Sequence, residues 1–294
     1  DSRDAPPRRT PPRRGRNRAP MELLFVGTGA ADVETALKCD CAHCSAIRRL
    51  GGRNLRHYAS LLVDGRLLLD CGPTVPWRLA ELHVAPAQVE ALVITHSHED
   101  HLDLRAVGDL LQARTPERGP LPVYGNSGAV ALLEPLRDRL ELVEVAPGDE
   151  VTVLGRPCVA LPANHSVPGE ETLIWLLGDA RGWLLYGTDS GWPLPAAWDL
   201  LASHPLLAAV LEATFGLATE HDLPPGYLTG HLNWPNFLRL REEFIARGLL
   251  PAEAPTFATH VSLHHAPIHD ELCQLAQPPV VLAYDGLRVG VGAP

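Results

Sequence analysis

Apolar residues along the chain gather in many short runs. Runs such as 23–26, 92–95 and 159–161 are only a few residues long, and Gly, Pro, Asn or Asp bounds most of the runs. Short apolar runs between turn residues are typical of buried strands. The pattern predicts strands at 23–26, 60–63, 67–69, 92–95, 123–124, 151–154, 159–161, 173–177, 183–186, 208–211, 256–259 and 280–283.

Fewer segments show the apolar spacing of an amphipathic helix. Residues 102–113 and 236–246 carry it most clearly, while 127–140 and 198–202 predict a longer and a shorter helix. Strands come in runs in each half of the chain, with few helices between them. This order favours two packed sheets with helices outside over a strict alternation of strand and helix. The predicted fold class is α+β.

Composition and charge narrow the class of protein. The chain has 294 residues, of which 46% are hydrophobic, enough for a sizeable core. It has no apolar run long enough to span a membrane. The formal net charge is −10, but residues 1–20 carry +5, so residues 21–294 carry −15. An acidic body disfavours non-specific binding to nucleic acid.

Residues 1–20 differ from the rest of the chain. They contain seven Arg, two Asp and five Pro and almost no apolar residue, which predicts a disordered leader. Their paired arginines resemble an export signal, but the only apolar stretch that follows, 21–31, is interrupted by Glu22 and fits a strand and loop better. We therefore predict one domain over 21–294 and a cytoplasmic location.

The densest chemistry lies directly after the apolar run 92–95. His96, His98, Asp100 and His101 follow in the pattern H-x-H-x-D-H. This spacing lets His96 and His98 reach one metal ion while Asp100 and His101 bind a neighbouring one. Taken alone, an acid before a helix can simply be an N-cap. The whole pattern predicts a metal site.

Three further candidate ligands each follow a predicted strand. His165 comes after 159–161, Asp189 after 183–186 and His260 after 256–259. A single histidine or aspartate in a turn is usually only a turn residue, but loops at strand ends are where functional side chains gather. With the first cluster they make a set of seven candidate ligands.

Three of the six cysteines stand close together. Cys39, Cys41 and Cys44 form C-x-C-x-x-C within CDCAHC, whereas the other three are scattered and fit small buried hydrophobic residues. Three thiolates at this spacing can bind one tetrahedral zinc ion with a fourth ligand from elsewhere. The alternative is coincidence or a redox-active pair.

The motif H-x-H-x-D-H, followed by isolated His, Asp and His, resembles the metallo-β-lactamase superfamily over about 21–294. The GTGA at 27–30 and the LLLDCG at 67–72 also fit its first strands. The resemblance implies an αββα sandwich. It also implies that Asp70 is buried and contacts a metal ligand without being one.

Carried over position by position, the resemblance implies a dinuclear site. His96, His98 and His165 would hold the first metal ion. Asp100, His101 and His260 would hold the second, and Asp189 would bridge both. Zinc and manganese both fit these ligands.

The early C-x-C-x-x-C is similar to that of the phosphoribosyl 1,2-cyclic phosphate phosphodiesterases (PhnP type). That family binds a structural zinc through the three cysteines and a histidine three positions after the last active-site histidine. Here that position is Leu263, followed by His264 and His265. We predict His264 as the fourth ligand, with His265, His43 or water as alternatives. The pyrroloquinoline quinone B proteins resemble the chain less.

The segments LEATF at 211–215 and TGHL at 229–232 resemble a region shared by these phosphodiesterases and the tRNA 3′-end nucleases. A histidine there assists the leaving group, and His231 is the match; the alternative is a residue beside the cap of the helix 236–246. Asp100 and Asp189 are counted with His231 as catalytic residues. The nuclease interpretation is weaker, because Lys38 is the only lysine.

The predicted activity is metal-assisted hydrolysis of a small cyclic phosphate or related phosphodiester. Another hydrolase on the same metals, such as a lactonase or RNA nuclease, is the first alternative, and a non-catalytic cofactor-pathway protein is the second. The predicted partner is a small phosphorylated substrate, with no membrane and no nucleic acid. A homodimer stays open.

Overall fold

Two seven-stranded sheets form the centre of residues 20–292, which are the residues that the computed structural model describes. The predicted leader at 1–20 therefore lies outside the described residues, apart from Pro20. Within 20–292, no helix is both long and apolar enough to cross a membrane.

The first sheet has the strand order β14-β1-β2-β3-β4-β5-β6. The last strand returns to pair with the first, with Met21 opposite Val291. The strands of the first sheet are β1 Met21–Gly27, β2 Ser60–Val63, β3 Leu67–Leu69, β4 Ala91–Val93, β5 Leu121–Gly125, β6 Leu140–Glu144 and β14 Arg288–Val291.

The second sheet has the order β13-β12-β11-β10-β9-β8-β7. Its strands β10 to β13 run parallel, whereas β7 to β10 are antiparallel neighbours. The strands of the second sheet are β7 Glu150–Val153, β8 Arg156–Pro162, β9 Leu173–Asp179, β10 Gly182–Gly187, β11 Leu206–Glu212, β12 Thr256–Thr259 and β13 Val280–Leu282.

Helices cover the outer faces of both sheets. In the described part of the chain they are α1 Val33–Lys38, α2 Ala42–Leu50, α3 Val75–Glu81, α4 Leu104–Gln112, α5 Ser127–Leu133, α6 Pro195–Leu201, α7 Tyr227–Gly230, α8 Trp234–Ala246 and α9 His269–Leu275. Residues of α3, α4 and α5 pack on the first sheet, and residues of α6 and α8 pack on the second.

The alternation of side chains along a strand builds the layers. In β1, Leu23 and Phe25 join the core between the sheets, while Leu24 and Val26 join the core under the helices. Successive strand residues point to opposite faces, so a fully apolar strand must be covered on both sides. The indole Nε1 of Trp175 in β9 donates to the carbonyl of Ile94 at 3.1 Å and ties the sheets together.

The layers are helix, sheet, sheet, helix, so the predicted α+β class and αββα sandwich are confirmed.

The helix predicted over 127–140 was wrong in its second half. The predicted helix 127–140 ends at Leu133, continues as a 3₁₀ helix over Glu134–Arg139, and gives way to strand β6. Pro135 explains the change, because proline removes a backbone donor inside a helix.

Candidate dinuclear metal centre

The predicted ligands gather at one edge because of strand direction. Strands β3 and β4 are parallel, and so are β10, β11 and β12. Strand β8 runs in the direction of β10, since both pair antiparallel with β9. The carboxyl ends of these strands therefore face the same edge of the sandwich. The residues that follow them are Asp70, His96, His98, His165, Asp189 and His260.

The first group of converging side chains comprises His96, His98, His165 and Asp189. Nε2 of His96 lies 3.0 Å from Nδ1 of His98, and Nε2 of His165 lies 3.2 Å from that same Nδ1. Oδ2 of Asp189 is 3.2 Å from Nε2 of His96 and 3.2 Å from Nε2 of His165. Four ligand atoms thus face a common point.

The second group comprises Asp100, His101, His260 and again Asp189. The Nε2 atoms of His101 and His260 are 3.2 Å apart. Oδ2 of Asp100 lies 3.3 Å from Nε2 of His101 and 3.5 Å from Nε2 of His260. Asp189 belongs to both groups, which is the arrangement expected of a bridging carboxylate.

The donor set fits two divalent ions. Oδ2 of Asp100 and Oδ1 of Asp189 are buried without a hydrogen-bond partner. A buried carboxylate oxygen without a partner is costly unless a cation neutralises it. Burial lowers the pKa of His96, and lowers that of His165 to about 4, which favours the neutral imidazole that binds a metal.

Buried hydrogen bonds orient the ligands. Asp70 is fully buried, and its Oδ2 accepts from Nδ1 of His101 at 2.9 Å. Its Oδ1 accepts from the backbone N and Oγ1 of Thr95 at 2.9 and 3.0 Å. Nδ1 of His260 lies 2.9 Å from Oγ1 of Thr214. The contacts of Asp70 with His101 and of Thr214 with His260 each hold the Nδ1 of one ring and leave its Nε2 facing the centre. This is the usual role of such partners in metal sites.

Three residues of the site have left-handed backbone conformations. The φ angles are +60° at Asp70, +51° at Asp189 and +51° at His260. Each residue follows a strand directly or within two residues, so the turn aims its side chain across the edge. Non-glycine residues in this region carry strain and tend to lie at functional sites.

His231, the predicted leaving-group histidine, lies beside the two groups of ligand atoms. Its Nδ1 is 3.2 Å from Oε2 of Glu212 and 3.0 Å from Oδ1 of Asp189. Burial lowers the pKa of His231, but the carboxylates of Glu212 and Asp189 outweigh burial and raise that pKa to about 11. The cap of α8 is Asn233, whose side chain accepts from the backbone of Asn236, so His231 is free of that role.

The cysteine cluster forms a separate group of ligand atoms. The Sγ atoms of Cys39, Cys41 and Cys44 and a ring nitrogen of His264 all lie within 4.8 Å of one another. Nδ1 of His264 is 3.2 Å from Sγ of Cys44. Three thiols and one imidazole are the ligand set of a structural zinc site.

The alternative fourth ligands have other contacts. Nε2 of His43 lies 3.2 Å from the carbonyl oxygen of Leu263, and the ring of His265 packs edge-on to Phe215 at 5.8 Å between centroids. The carboxylate of Asp32 accepts from the backbone N of Leu263 at 3.1 Å and of His264 at 2.9 Å. This turn presents His264 to the thiols, although it stands one position later than the related family predicts.

A cavity of about 420 Å³ opens above the dinuclear group. Its walls include Asp32, Thr35, Phe215, Tyr227 and His265, and its floor includes ligands of both groups. A second cavity of about 500 Å³ adjoins it and shares three lining residues, His165, Tyr227 and His231. Among residues 20–292, no lysine or arginine lines either cavity.

Comparison with known families agrees with this fold and geometry. The Beta-lactamase superfamily domain model matches residues 65–252, more than half of the chain. The chain belongs to the metallo-β-lactamase superfamily. The superfamily predicted from the sequence is thereby confirmed.

Within the superfamily, the chain is similar to several characterised proteins. It is 35% identical over 123 residues to Ribonuclease Z of Methanopyrus kandleri, a match that covers 38% of this chain and 42% of that protein. The chain thus matches about two fifths of that relative's length. Among solved structures, a diphosphatase from the PhnP family has a TM-score of 0.71 at 22% identity, covering 92% of this chain and 96% of that chain. Zn²⁺-bound PqqB from Methylobacterium extorquens has a TM-score of 0.69 at 17% identity, covering 91% and 99%.

The sequence pointed to most of the site but not to all of it. The sequence assigned no role to Glu212 within LEATF. In the structure it is fully buried and contacts His231. The sequence feature that could have identified it is a lone acidic residue at the end of an apolar strand, Leu206–Glu212, because a buried carboxylate needs a partner. Thr95 and Thr214 gave no signal, because a threonine after a strand is common.

Proposed function

We propose that the protein is a dinuclear-metal phosphodiesterase that hydrolyses a small cyclic phosphate or a related phosphodiester. The observation that carries this proposal is the pair of four-ligand groups that share Asp189 beneath a cavity, with His231 at their side. Similarity to a ribonuclease Z and to a PhnP-family diphosphatase supports phosphorus chemistry at such a centre.

The ligands would divide between two ions as the resemblance to the superfamily implies. His96, His98 and His165 would hold one divalent ion. Asp100, His101 and His260 would hold the other, and Asp189 would contact both. When bound, two such ions would supply positive charge to the phosphoryl oxygens and lower the pKa of a nearby water.

His231 would serve the leaving group. Its Nδ1 is hydrogen-bonded to Glu212 and lies 3.0 Å from Oδ1 of Asp189, which leaves Nε2 to donate a proton to a departing alkoxide. Oε2 of Glu212 also accepts from Oγ1 of Thr214, so the carboxylate is fixed in place. A positioned general acid of this kind is worth about 10²–10⁴-fold in rate.

The thiol site would have a structural role. Cys44 is buried and His264 lies four residues after His260 in the chain. A zinc ion held by Cys39, Cys41, Cys44 and His264 would therefore fix the loop that carries a ligand of the dinuclear centre.

An RNA 3′-end nuclease is the second candidate, because the chain is 35% identical over 123 residues to a ribonuclease Z. The cavity argues for a small substrate instead, since no lysine or arginine among residues 20–292 lines it. RNA binding depends largely on Lys and Arg contacts to phosphates.

Metal analysis combined with a substrate panel tests the proposal. The protein should carry two exchangeable divalent ions and one zinc that resists mild chelation. With metals bound, it should hydrolyse bis(p-nitrophenyl) phosphate and cyclic phosphates, but neither an acyl-homoserine lactone nor a tRNA precursor. Turnover of the lactone alone, or of the RNA alone, would instead make the protein a lactonase or an RNA nuclease. Full metal content without any turnover would refute the proposal.

A further inference from the structure

An aromatic group stands over the proposed reaction centre. Three aromatic side chains, hereafter the aromatic wall, line the cavity above the dinuclear group: Phe215, Tyr227 and His265. The ring centroid of Phe215 lies 5.6 Å from that of Tyr227 and 5.8 Å from that of His265. Phe215 also contacts the ring of His231 edge-on at 5.5 Å, so the wall begins next to the proposed proton donor.

The members of the wall differ in exposure. Phe215 is 5% exposed, and its ring contacts those of Tyr227 and His265. Tyr227 is 46% exposed, and it lies where the two cavities meet. A large aromatic side chain that stays accessible beside a reaction centre offers a flat apolar surface to a ligand.

The charges around the wall exclude a highly anionic ligand group. No lysine or arginine among residues 20–292 lines either cavity. Asp32, which also lines this cavity, adds negative charge, and its carboxylate accepts from Ser262 and from the backbone of Leu263 and His264. The positive charge of His231 is already paired with Glu212 and Asp189, so a second phosphate bound here would lose its hydration without gaining an unpaired cationic side chain, which is costly.

We infer that the aromatic wall binds a flat, uncharged ring carried by the substrate. The substrate class is then a singly charged nucleoside or aryl phosphodiester, in which the only anionic group is the one that reacts. This inference rests on the proposed function and narrows it from phosphodiesters in general to those that carry a ring.

The expected effect can be stated as a ratio. Stacking of a base on an aromatic side chain typically changes binding by about tenfold or more. Adenosine 2′,3′-cyclic phosphate and 1-O-methylribose 2,3-cyclic phosphate share the reacting group and differ in the ring. We expect kcat/KM to be about tenfold higher for the adenosine compound, mainly through a lower KM. Adding a 5′-phosphate to the adenosine compound should remove most of its advantage in kcat/KM.

Variants of Tyr227 connect the ratio to the wall. Tyr227→Leu should bring the two substrates to within about twofold of each other, whereas Tyr227→Phe should keep the preference, because the ring is what matters. Trp77→Leu is the matched control, since Trp77 is 71% exposed on α3 outside both cavities. Equal kcat/KM for both substrates in the wild type, or an unchanged ratio in Tyr227→Leu, overturns the inference.

A binding measurement separates this inference from the proposed function. Calorimetric titration of the metal-loaded protein with adenosine 3′-phosphate and with ribose 3-phosphate reports ring preference without turnover. If neither cyclic phosphate is hydrolysed, the proposed function fails, and the titration still decides the role of the wall. Tighter binding of the adenosine compound that Tyr227→Leu abolishes supports the inference; equal binding refutes it.

Discussion

Nδ1 of His231 lies 3.2 Å from Oε2 of Glu212, a carboxylate that is fully buried at the end of β11. Oε1 of the same carboxylate is buried without a hydrogen-bond partner. A buried carboxylate with so few donors depends strongly on the partner it has. The two residues should therefore act as a unit.

Replacing either member of this unit should lower kcat. We expect His231→Ala to reduce kcat by about 10²–10⁴-fold and Glu212→Gln by a smaller factor, on the order of 10-fold, because the donor would lose its orientation. The double variant should be little worse than His231→Ala, since groups that act together are not additive. Steady-state kinetics with metal analysis checks this. Loss of bound metal in His231→Ala would instead make His231 a ligand.

Asp70→Asn should weaken metal binding. Oδ2 of Asp70 accepts from Nδ1 of His101 and from the hydroxyl of Tyr186, at 2.9 and 3.1 Å. Oδ1 accepts from Thr95 as well, so an asparagine, which has one acceptor oxygen, cannot accept both sets of bonds. Such changes typically cost about 10–100-fold in metal affinity. Competition with a chelator measures the affinity. Asp109→Asn, an exposed change on α4, is the control and should leave it unaltered.

Cys44→Ser should remove the chelation-resistant zinc and lower the stability of the fold. Cys44 is fully buried and its Sγ is 3.2 Å from Nδ1 of His264. Binding free energy at a structural zinc site is folding free energy, and a loss of roughly 2 kcal/mol would lower Tm by about 4–8 °C. Cys273→Ser replaces an exposed cysteine and serves as the control. An unchanged zinc content in Cys44→Ser would contradict the four-ligand site.

The pH dependence of stability should contain a contribution from His269. This side chain is 3% exposed, and its Nδ1 lies 3.1 Å from a guanidinium nitrogen of Arg56. Burial, together with Arg56 and Arg53, lowers the pKa of His269 from 6.5 to about 4, although Asp270 opposes the shift. The folded state therefore favours the neutral ring. This stabilisation is present above pH 6.5 and is lost as the pH falls toward 4.

His269→Gln keeps an acceptor for Arg56 but cannot take up the proton. The variant should lose roughly 1–2 kcal/mol less than the wild type when the free energy of unfolding is compared at pH 7 and pH 5. Urea unfolding at both pH values measures the difference. The exposed His221→Gln is the control and should follow the wild type. Parallel curves for wild type and His269→Gln would rule out this contribution.

The sequence was informative where chemistry is dense and local. The cluster His96 to His101 could be recognised because its ligands stand within a few residues of each other. His165 and His260 could be selected only because each follows a predicted strand, and the structure shows that the carboxyl ends of these strands share an edge. Their metal-binding role stays a prediction, although the structure brings them to that edge.

Other features depend on contacts that no local pattern reveals. Strand β14 was missed, since Arg288–Val291 is short and finds its partner, β1, only at the far end of the chain. The sequence left open whether Asp100 caps the helix that follows, because Asp100 and Asp103 are equally good candidates by type. In the structure Asp103 accepts from the backbone of Ala106, which leaves Asp100 for the centre.

The left-handed conformations of Asp70, Asp189 and His260 have a consequence for how the protein tolerates change. Each costs about 1 kcal/mol or more, and that cost must be met by the rest of the sandwich. The packing of the two sheets must therefore contribute enough stability to offset the strain in these three turns. A chain whose sheet core has been weakened would reach the point where it can no longer hold these turns before it loses its layers, so inactivation would precede unfolding.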